Sequence, residues 1–527
     1  MAEVAEYDAI IIGAGINGCG TFRDLALQGL RVLLLERGDI CQGASAASSR
    51  LMHGGLKYLE TGEFRLVRES LTERNMLLST APHYVRPLEC VVPVTSTWGG
   101  IAGSVARFLG INAKINDRGY VITGLGLALY DLYGRALRSM PKHRMLRRAR
   151  LRRLMPELAA RISGAGIYYE GQITHAERLG LELVLDAEAA NPAARSETHV
   201  TVTGSAKGAL TYRRACGESV SVTAPVIVNA GGAWIDRVNA ALGIDSRLMG
   251  GSRGSHLIVD NGALLRALDG RMIYFGTADG RVNLVYPFEG KVMVGSTDIP
   301  QPDPDTAACS DDEEAYLRQA VATVFPYIPV TPEQIVFRFS GTRPLPRADG
   351  DIGLVTRDHS IVTLSLPGSA TPVHCLIGGK WTTFRAFSEL AADRVLADLG
   401  LPRKVSTKGL PIGGGRDFPR NAAERTRLLQ AIALTGRITT DRAETLLARY
   451  GTRARAFAES LRGKGETMLS TLPDYAVEEL RHIAATEKVA TLDDLVHRRT
   501  LIAMTGRDSP AARAEIAACL TDIRATA

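Results

Sequence analysis

The chain has 527 residues, too many for one hydrophobic core, so two or three domains are expected. Hydrophobic residues make up 45% and charged residues 23%, the balance of a globular protein rather than a disordered or fibrous one. Lys and Arg number 63 against 56 Asp and Glu, a net charge of +7, and the seven cysteines are scattered without metal or thioredoxin spacing. Reduced thiols in a cytoplasmic setting, and no metal, are therefore expected. The N-terminus, "MAEVAEYDAIIIG", carries acids where a signal peptide has a basic region. The most lipophilic stretch, "YVITGLGLALY", is too short to span a bilayer.

The first forty residues read strand, glycine turn, helix, strand. Ala9–Ile12 enters Gly13-Ala14-Gly15-Ile16-Asn17-Gly18, a helix is predicted to run to Gln28 with Gly29 as its stop, and Val32–Leu35 ends in Glu36. Gly13 suits the tight turn, Gly15 the approach of a pyrophosphate, and Gly18 the close packing of helix on strand. The helix N-terminus offers free N–H groups to phosphates, and Glu36 can accept from ribose hydroxyls while disfavouring a 2′-phosphate. This spacing in this context predicts a bound dinucleotide other than NADP.

After Glu36 the chain does not continue with another helix and strand, as an NAD domain usually would. It gives "RGDICQGASAASSRLMHGG" instead, a run of small residues suited to backbone laid along an extended cofactor. Further on, "IAGSVARFLG" and "GLGLALYDLYG" precede 135–153, where nine Lys or Arg occur without an acid. Attraction to anionic lipid headgroups fits this pattern. Nucleic acid is not expected, because aromatics do not interleave with the cations. Alternation in "GRVNLVYPF" and "KVMVGSTD" predicts an antiparallel sheet, and Ser310 with Glu313 marks a helix start. Residues 406–420, rich in Gly, Pro and charge, read as a linker. Beyond it, apolar residues at helical spacing, such as Val477, Leu480 and Ile483, predict a helical region. Lys57, Arg253, His256, Arg343, Arg357 and Lys380 each lie in or beside a glycine-bearing or short-loop motif. Together they offer cations for a phosphate and a polar group for a reacting carbinol.

The string "GASAASSRLMHGGLKYLE" (43–60) closely resembles the flavin-contacting segment of FAD-dependent glycerol-3-phosphate dehydrogenases and oxidases. "VIVNAGGAWID", "RGSHLIV", "YPFEGKVMVGSTD", "SGTRPL" and "IGGKWTTFR" follow in that family's order. The resemblance implies an α/β fold: a Rossmann-type FAD-binding domain (glutathione-reductase-like, of the D-amino-acid-oxidase superfamily), an antiparallel-sheet substrate domain and a C-terminal all-helical domain. The expected division is 1–80, 165–240 and 340–405 for FAD, 81–164 and 241–339 for substrate, and 421–527 for the helical part. Ala46, Ser48, Ser49 and Arg50 would lie along the pyrophosphate and flavin edge, with His53, Gly54 and Gly55 beside the ring. Gly231 would return to the FAD, and Gly378 and Gly379 would turn a helix start to the flavin pyrimidine. Arg343 and Lys380 would lie over the flavin near the substrate, and Lys57 and Tyr58 would serve the phosphate, with Arg253 and Arg357 as further substrate cations. The implied reaction is oxidation of sn-glycerol 3-phosphate to dihydroxyacetone phosphate, with hydride to flavin N5 and His256, or a group organised by Arg343, taking the proton. Electrons would pass to membrane quinone, from a peripheral position on the inner face of the cytoplasmic membrane, or to oxygen. Lys57 stands where many family members carry arginine, keeping the charge but losing the fork, so another polyol phosphate such as a tetritol phosphate is the alternative substrate. Without turnover, the protein would be a flavin-bearing binding protein.

Overall fold

The computed structural model describes residues 5–56, 63–99, 119–134, 139–347, 358–461 and 465–524, with side chains as far as 520. The described strands form three sheets. A six-stranded sheet runs in the order Ser360–Ser365, Pro372–Ile377, Ile227–Asn229, Ala9–Ile12, Val32–Leu35 and Arg195–Glu197. All its pairings are parallel except that of the first two strands. Its central strands are buried on both faces, as parallel strands covered on both sides must be. Ala9, Ile11, Val32 and Leu34 join one core with helices Ile16–Leu27, Ala176–Ala190 and Phe384–Asp398. Ile10, Ile12, Leu33 and Leu35 join the other, with a four-stranded sheet that includes Ala209–Arg213 and Ser219–Thr223.

The third sheet has ten strands and is mostly antiparallel. Strand Ser252–Val259 lies in it between Ile335–Arg343 and Lys291–Gly295, and Val282–Phe288 pairs with the latter. Helix Asp311–Val324 starts on the expected capping box of Ser310 and Glu313. The helical C-terminal region has a core of its own, in which Leu480 and Ile483 are fully buried. Among the described residues no helix is long and apolar enough to cross a membrane.

Three expected boundaries shift. Strands Leu51–Met52, Gly164–Ile173 and Ile335–Arg343 all pair into the ten-stranded sheet, although the expected division places their residues wholly or partly in the cofactor domain. Alternation marks a strand but does not say which sheet it joins. Segment 406–420 is a packed strap rather than a free linker. Ile412 N donates to Thr80 O at 2.8 Å, Gly413 N to Asp186 Oδ2 at 2.9 Å and Gly414 N to Glu182 Oε2 at 3.1 Å. Its glycines answer to close backbone crossings, Gly414 against Gly451 and Gly415 against Thr80.

Candidate functional site

The glycine turn sits where strand Ala9–Ile12 meets helix Ile16–Leu27. Gly13 has φ +105°, and a Cβ there would lie 2.6 Å from Ala230 O, so both backbone conformation and space require glycine. Gly18 packs directly onto Gly13 O, whereas a Cβ on Gly15 would meet protein only at Ser45 Oγ, 3.5 Å away. Gly231 follows strand Ile227–Asn229 and donates its N–H to Asn229 Oδ1 at 3.1 Å. Glu36 ends its strand as expected, accepting from Ala14 N at 2.7 Å and Gly38 N at 2.8 Å. Burial raises its carboxyl above the ordinary value while those two donors oppose the shift.

The small-residue segment closes over this turn. Ser45 Oγ accepts from Ile16 N at 3.0 Å, Ala46 N donates to Gly43 O, and Ala47 lies against Gly341. Trp381 Nε1 donates to Ser45 O at 3.0 Å and Thr382 Oγ1 to His53 O at 3.2 Å, so the "IGGKWTTFR" motif is bonded to the segment at two points. Asn17 Nδ2 donates to Gly378 O at 3.1 Å, which joins the first helix to Gly378 and Gly379. Asn17 Oδ1 is buried with no hydrogen-bond partner. A cradle of bare backbone with a buried unsatisfied amide oxygen fits an extended dinucleotide carrying hydrogen-bonding groups.

Strand alternation sorts the candidate cations. Ser252, Gly254 and His256 face the small-residue segment, and Arg253 and Ser255 face away. Arg343, paired with Ser252, lies across Gly254, whose missing side chain makes its room. Its guanidinium donates to Asp298 Oδ1 at 3.0 Å, Ser296 Oγ at 3.1 Å and Thr297 O at 2.9 Å. His256 stacks on Phe339 at 5.1 Å and shares a 2.8 Å hydrogen bond with Ser49 Oγ. Gly295 makes room for the His256 ring as Gly254 does for Arg343. The structure thus brings Ser49, His256 and Arg343 together.

Three expectations are corrected. Arg253, on the opposite face, bonds Glu313 Oε2 at 2.9 Å and Gln301 Oε1 at 3.2 Å, so it anchors the start of helix Asp311–Val324. Arg50, whose backbone N–H donates to Ser48 Oγ at 3.2 Å, is fully buried, pairs with Glu177 and lies over the Phe288 ring. Its side chain therefore secures the segment from beneath. Histidine's ordinary pKa does not survive at His256 either. Burial, then the nearby Arg343 and Arg50 charges, lower it to about 3, so the ring is neutral near pH 7.

Gly54 N donates to Glu170 Oε2 and Tyr130 OH, each at 3.0 Å. Arg74 bonds that carboxylate at 3.0 Å, and Gly55 follows at φ +79°. Burial raises Glu170 above the ordinary carboxyl range against the pull of Arg74. Lys380 follows Gly379, and its charge reaches Glu69 and His359. Lys57, Tyr58 and Arg357 lie outside the described residues.

Sequence reading missed Ser45, Asn17, Trp381, Asp298 and Glu170. The first four lie inside quoted motifs, but Glu170 carried no local signal at all. One acid–histidine group, Asp39, His199 and Asp494, brings its ligand atoms within 4.8 Å of one another. Arg498 and Arg499 already fill the Asp39 oxygens.

The chain is similar to known proteins over nearly its whole length. A model of FAD dependent oxidoreductases matches residues 8–383, and one of the C-terminal domain of alpha-glycerophosphate oxidase matches 405–523. The chain is 35% identical to a glycerol-3-phosphate dehydrogenase of Synechocystis sp., over 98% of this chain and 92% of that protein. It is 33% identical to a D-erythritol 1-phosphate dehydrogenase of Brucella abortus, over 95% of each. The crystal structure of a glycerol-3-phosphate dehydrogenase from Bacillus halodurans complexed with FAD superposes with TM-score 0.70 at 21% identity, covering 99% of this chain and 94% of that one.

Proposed function

We propose that this chain, which belongs to the FAD-dependent glycerol-3-phosphate dehydrogenase family, oxidises sn-glycerol 3-phosphate to dihydroxyacetone phosphate. The observation that carries the reading is the meeting of Ser49, His256 and Arg343 where the small-residue segment crosses the ten-stranded sheet. FAD, when bound, supplies the acceptor for the C2 hydride. Gly13, Gly15, Gly18, Glu36, Gly231, Gly378 and Gly379 would hold it with the 43–55 segment. Arg343, its fork fixed by Asp298 and Ser296, would face the reacting end of the substrate beside His256, and Lys380 would be a further cation over the flavin. His256 Nε2 would accept the C2 hydroxyl proton by way of Ser49 Oγ, which passes its own proton to the ring as it takes the substrate's. Burial holds this histidine down first and the Arg343 charge second, so a negatively charged substrate beside Arg343 offsets only the lesser of the two causes.

A peripheral membrane position and quinone as acceptor are part of the same reading. Helix Tyr120–Tyr133 exposes Val121, Leu125, Leu129 and Leu132 at helical spacing, and Trp98 is 69% exposed. Lys142, Arg144, Arg147, Arg148 and Arg150 are exposed beyond it. Flotation with anionic vesicles, reversed by salt, is the expected behaviour.

The test is anaerobic addition of sn-glycerol 3-phosphate to the purified yellow protein, following visible flavin absorbance. Rapid bleaching, lost in Arg343→Ala and Lys380→Ala, is expected. Bleaching by an erythritol phosphate in preference would replace the substrate, and no bleaching by either would overturn the reaction.

A further inference from the structure

The C-terminal helical region is fastened to the rest of the molecule by two buried bidentate ion pairs of opposite sense. In one, Arg178 of helix Ala176–Ala190 grips Glu487 with Nη1···Oε2 2.7 Å and Nη2···Oε1 2.6 Å. In the other, Arg499 of the helical region grips Asp39 with Nη1···Oδ2 2.7 Å and Nη2···Oδ1 2.8 Å. Arg498 Nε adds a third bond to Asp39 Oδ2 at 2.6 Å and its Nη2 reaches Asp494 Oδ1 at 2.9 Å. Two adjacent arginines converge on one carboxylate because the chain makes a wide π-helical turn at Leu495–Arg499. Asp39 is fully buried and Arg499 is 2% exposed.

The pairs end on different kinds of structure. Arg178 stands on a helix whose Leu179, Leu181, Leu183 and Val184 are packed in the main core. Asp39 stands in the irregular stretch between Glu36 and Ser45, which has no ladder or helix to fix it. Gly38 N supports Glu36 Oε1, Gly38 O accepts from His199 N at 2.8 Å, and Cys41 N donates to Ala14 O at 2.9 Å inside the glycine turn. Asp39 therefore lies between the ribose acid and the pyrophosphate turn; its backbone is tied locally, Asp39 N donating to Gln42 Oε1 at 2.9 Å and Gln42 N to Asp39 O at 3.2 Å, while its carboxylate is held by the far end of the chain.

We infer that Arg498 and Arg499 are positioning residues for the adenosine half of the cofactor site, and that the helical region acts through Asp39 as a clamp retaining FAD. The inference rests on the FAD-binding half of the reading above and is independent of the substrate. The two pairs also touch: Arg499 donates to Glu487 O at 2.8 Å and Lys488 O at 3.2 Å, Arg178 Nη1 donates to Arg499 O at 3.0 Å, and His199 bonds Asp494 at 3.0 Å.

The experiment measures FAD release from the holoenzyme, by flavin fluorescence in the ultrafiltrate on dilution, together with melting temperature. Arg499→Lys, Arg498→Ala and Arg499→Ala are compared with Glu487→Gln, which weakens the sister pair at the same interface. FAD retention is expected to fall about tenfold to a hundredfold in Arg499→Ala. Smaller losses are expected in Arg499→Lys and Arg498→Ala, and near wild-type retention in Glu487→Gln even where its melting temperature falls as far. Equal FAD loss across all variants at matched melting temperature would reduce the pair to domain docking and overturn the clamp. If Arg499→Ala does not fold, Arg499→Lys and Arg498→Ala decide on the same criterion. A protein bleached by substrate whose arginine variants keep FAD loses only the clamp. One whose variants release FAD but which no polyol phosphate bleaches loses only the substrate.

Discussion

The two halves of the site are built from different material. On the cofactor side, backbone does the binding: Gly13, Gly15 and Gly18 lie within six consecutive residues, and Glu36 follows at the end of the next parallel strand. On the substrate side, side chains do it, and Ser49, His256 and Arg343 come from a loop and two strands far apart in the chain. A backbone site tolerates almost no added atom, because its walls are peptide groups that cannot rotate away. A side-chain site tolerates replacement structurally but loses its field. The first kind should fail by failing to assemble, the second by failing to work.

Gly13→Ala tests this most severely. A Cβ 2.6 Å from Ala230 O on a residue at φ +105° is expected to give protein without flavin, seen as absent visible absorbance. A yellow variant of normal flavin content would break the contrast. Glu170→Ala probes the seam, where Gly54 N meets Glu170 and Tyr130. It leaves Arg74 buried beside a missing partner and should cost about 3–5 kcal/mol in urea unfolding, with Glu170→Gln recovering much of that. Arg343→Ala should lower kcat/KM about 10²–10³-fold at unchanged flavin content. Loss of flavin there would mean that the substrate side also builds the cofactor site.

The smallest effect is a pH dependence. His256 is held at about 3 in the folded protein against 6.5 ordinarily, so between those pH values the unfolded chain binds a proton that the folded one refuses. Stability is then full above pH 6.5 and falls as pH drops through the window, by about 2 kcal/mol between pH 7 and 5 from this residue. Urea unfolding at the two pH values should show that share of the loss vanish in His256→Asn. An unchanged loss in the variant would place the acid sensitivity elsewhere.

The cofactor side was legible because its determinants are local. A turn, a helix start and a strand-end acid follow from spacing alone, and Ser310 with Glu313 was readable for the same reason. Arg253 was misread because it shares a motif with His256, and only its place on the opposite face of the strand separates them. Arg50 was misplaced because a small-residue context does not say that Glu177 waits beneath it.

Local pattern by itself determined that a dinucleotide is bound, that Ala9–Ile12 and Val32–Leu35 pair as parallel strands and that the C-terminal region is helical, since each depends on periodicity or on contacts within about forty residues, and the resemblance of the motif string added FAD. Tertiary structure alone decided which sheet received strands Gly164–Ile173 and Ile335–Arg343, which face of Ser252–Val259 met the small-residue segment, and that a nominal linker was a packed strap. It also decided that Arg499 would close on Asp39 across 460 positions. Nothing local encodes such a pairing, because a buried charge selects its partner only once the surrounding core has removed water from both.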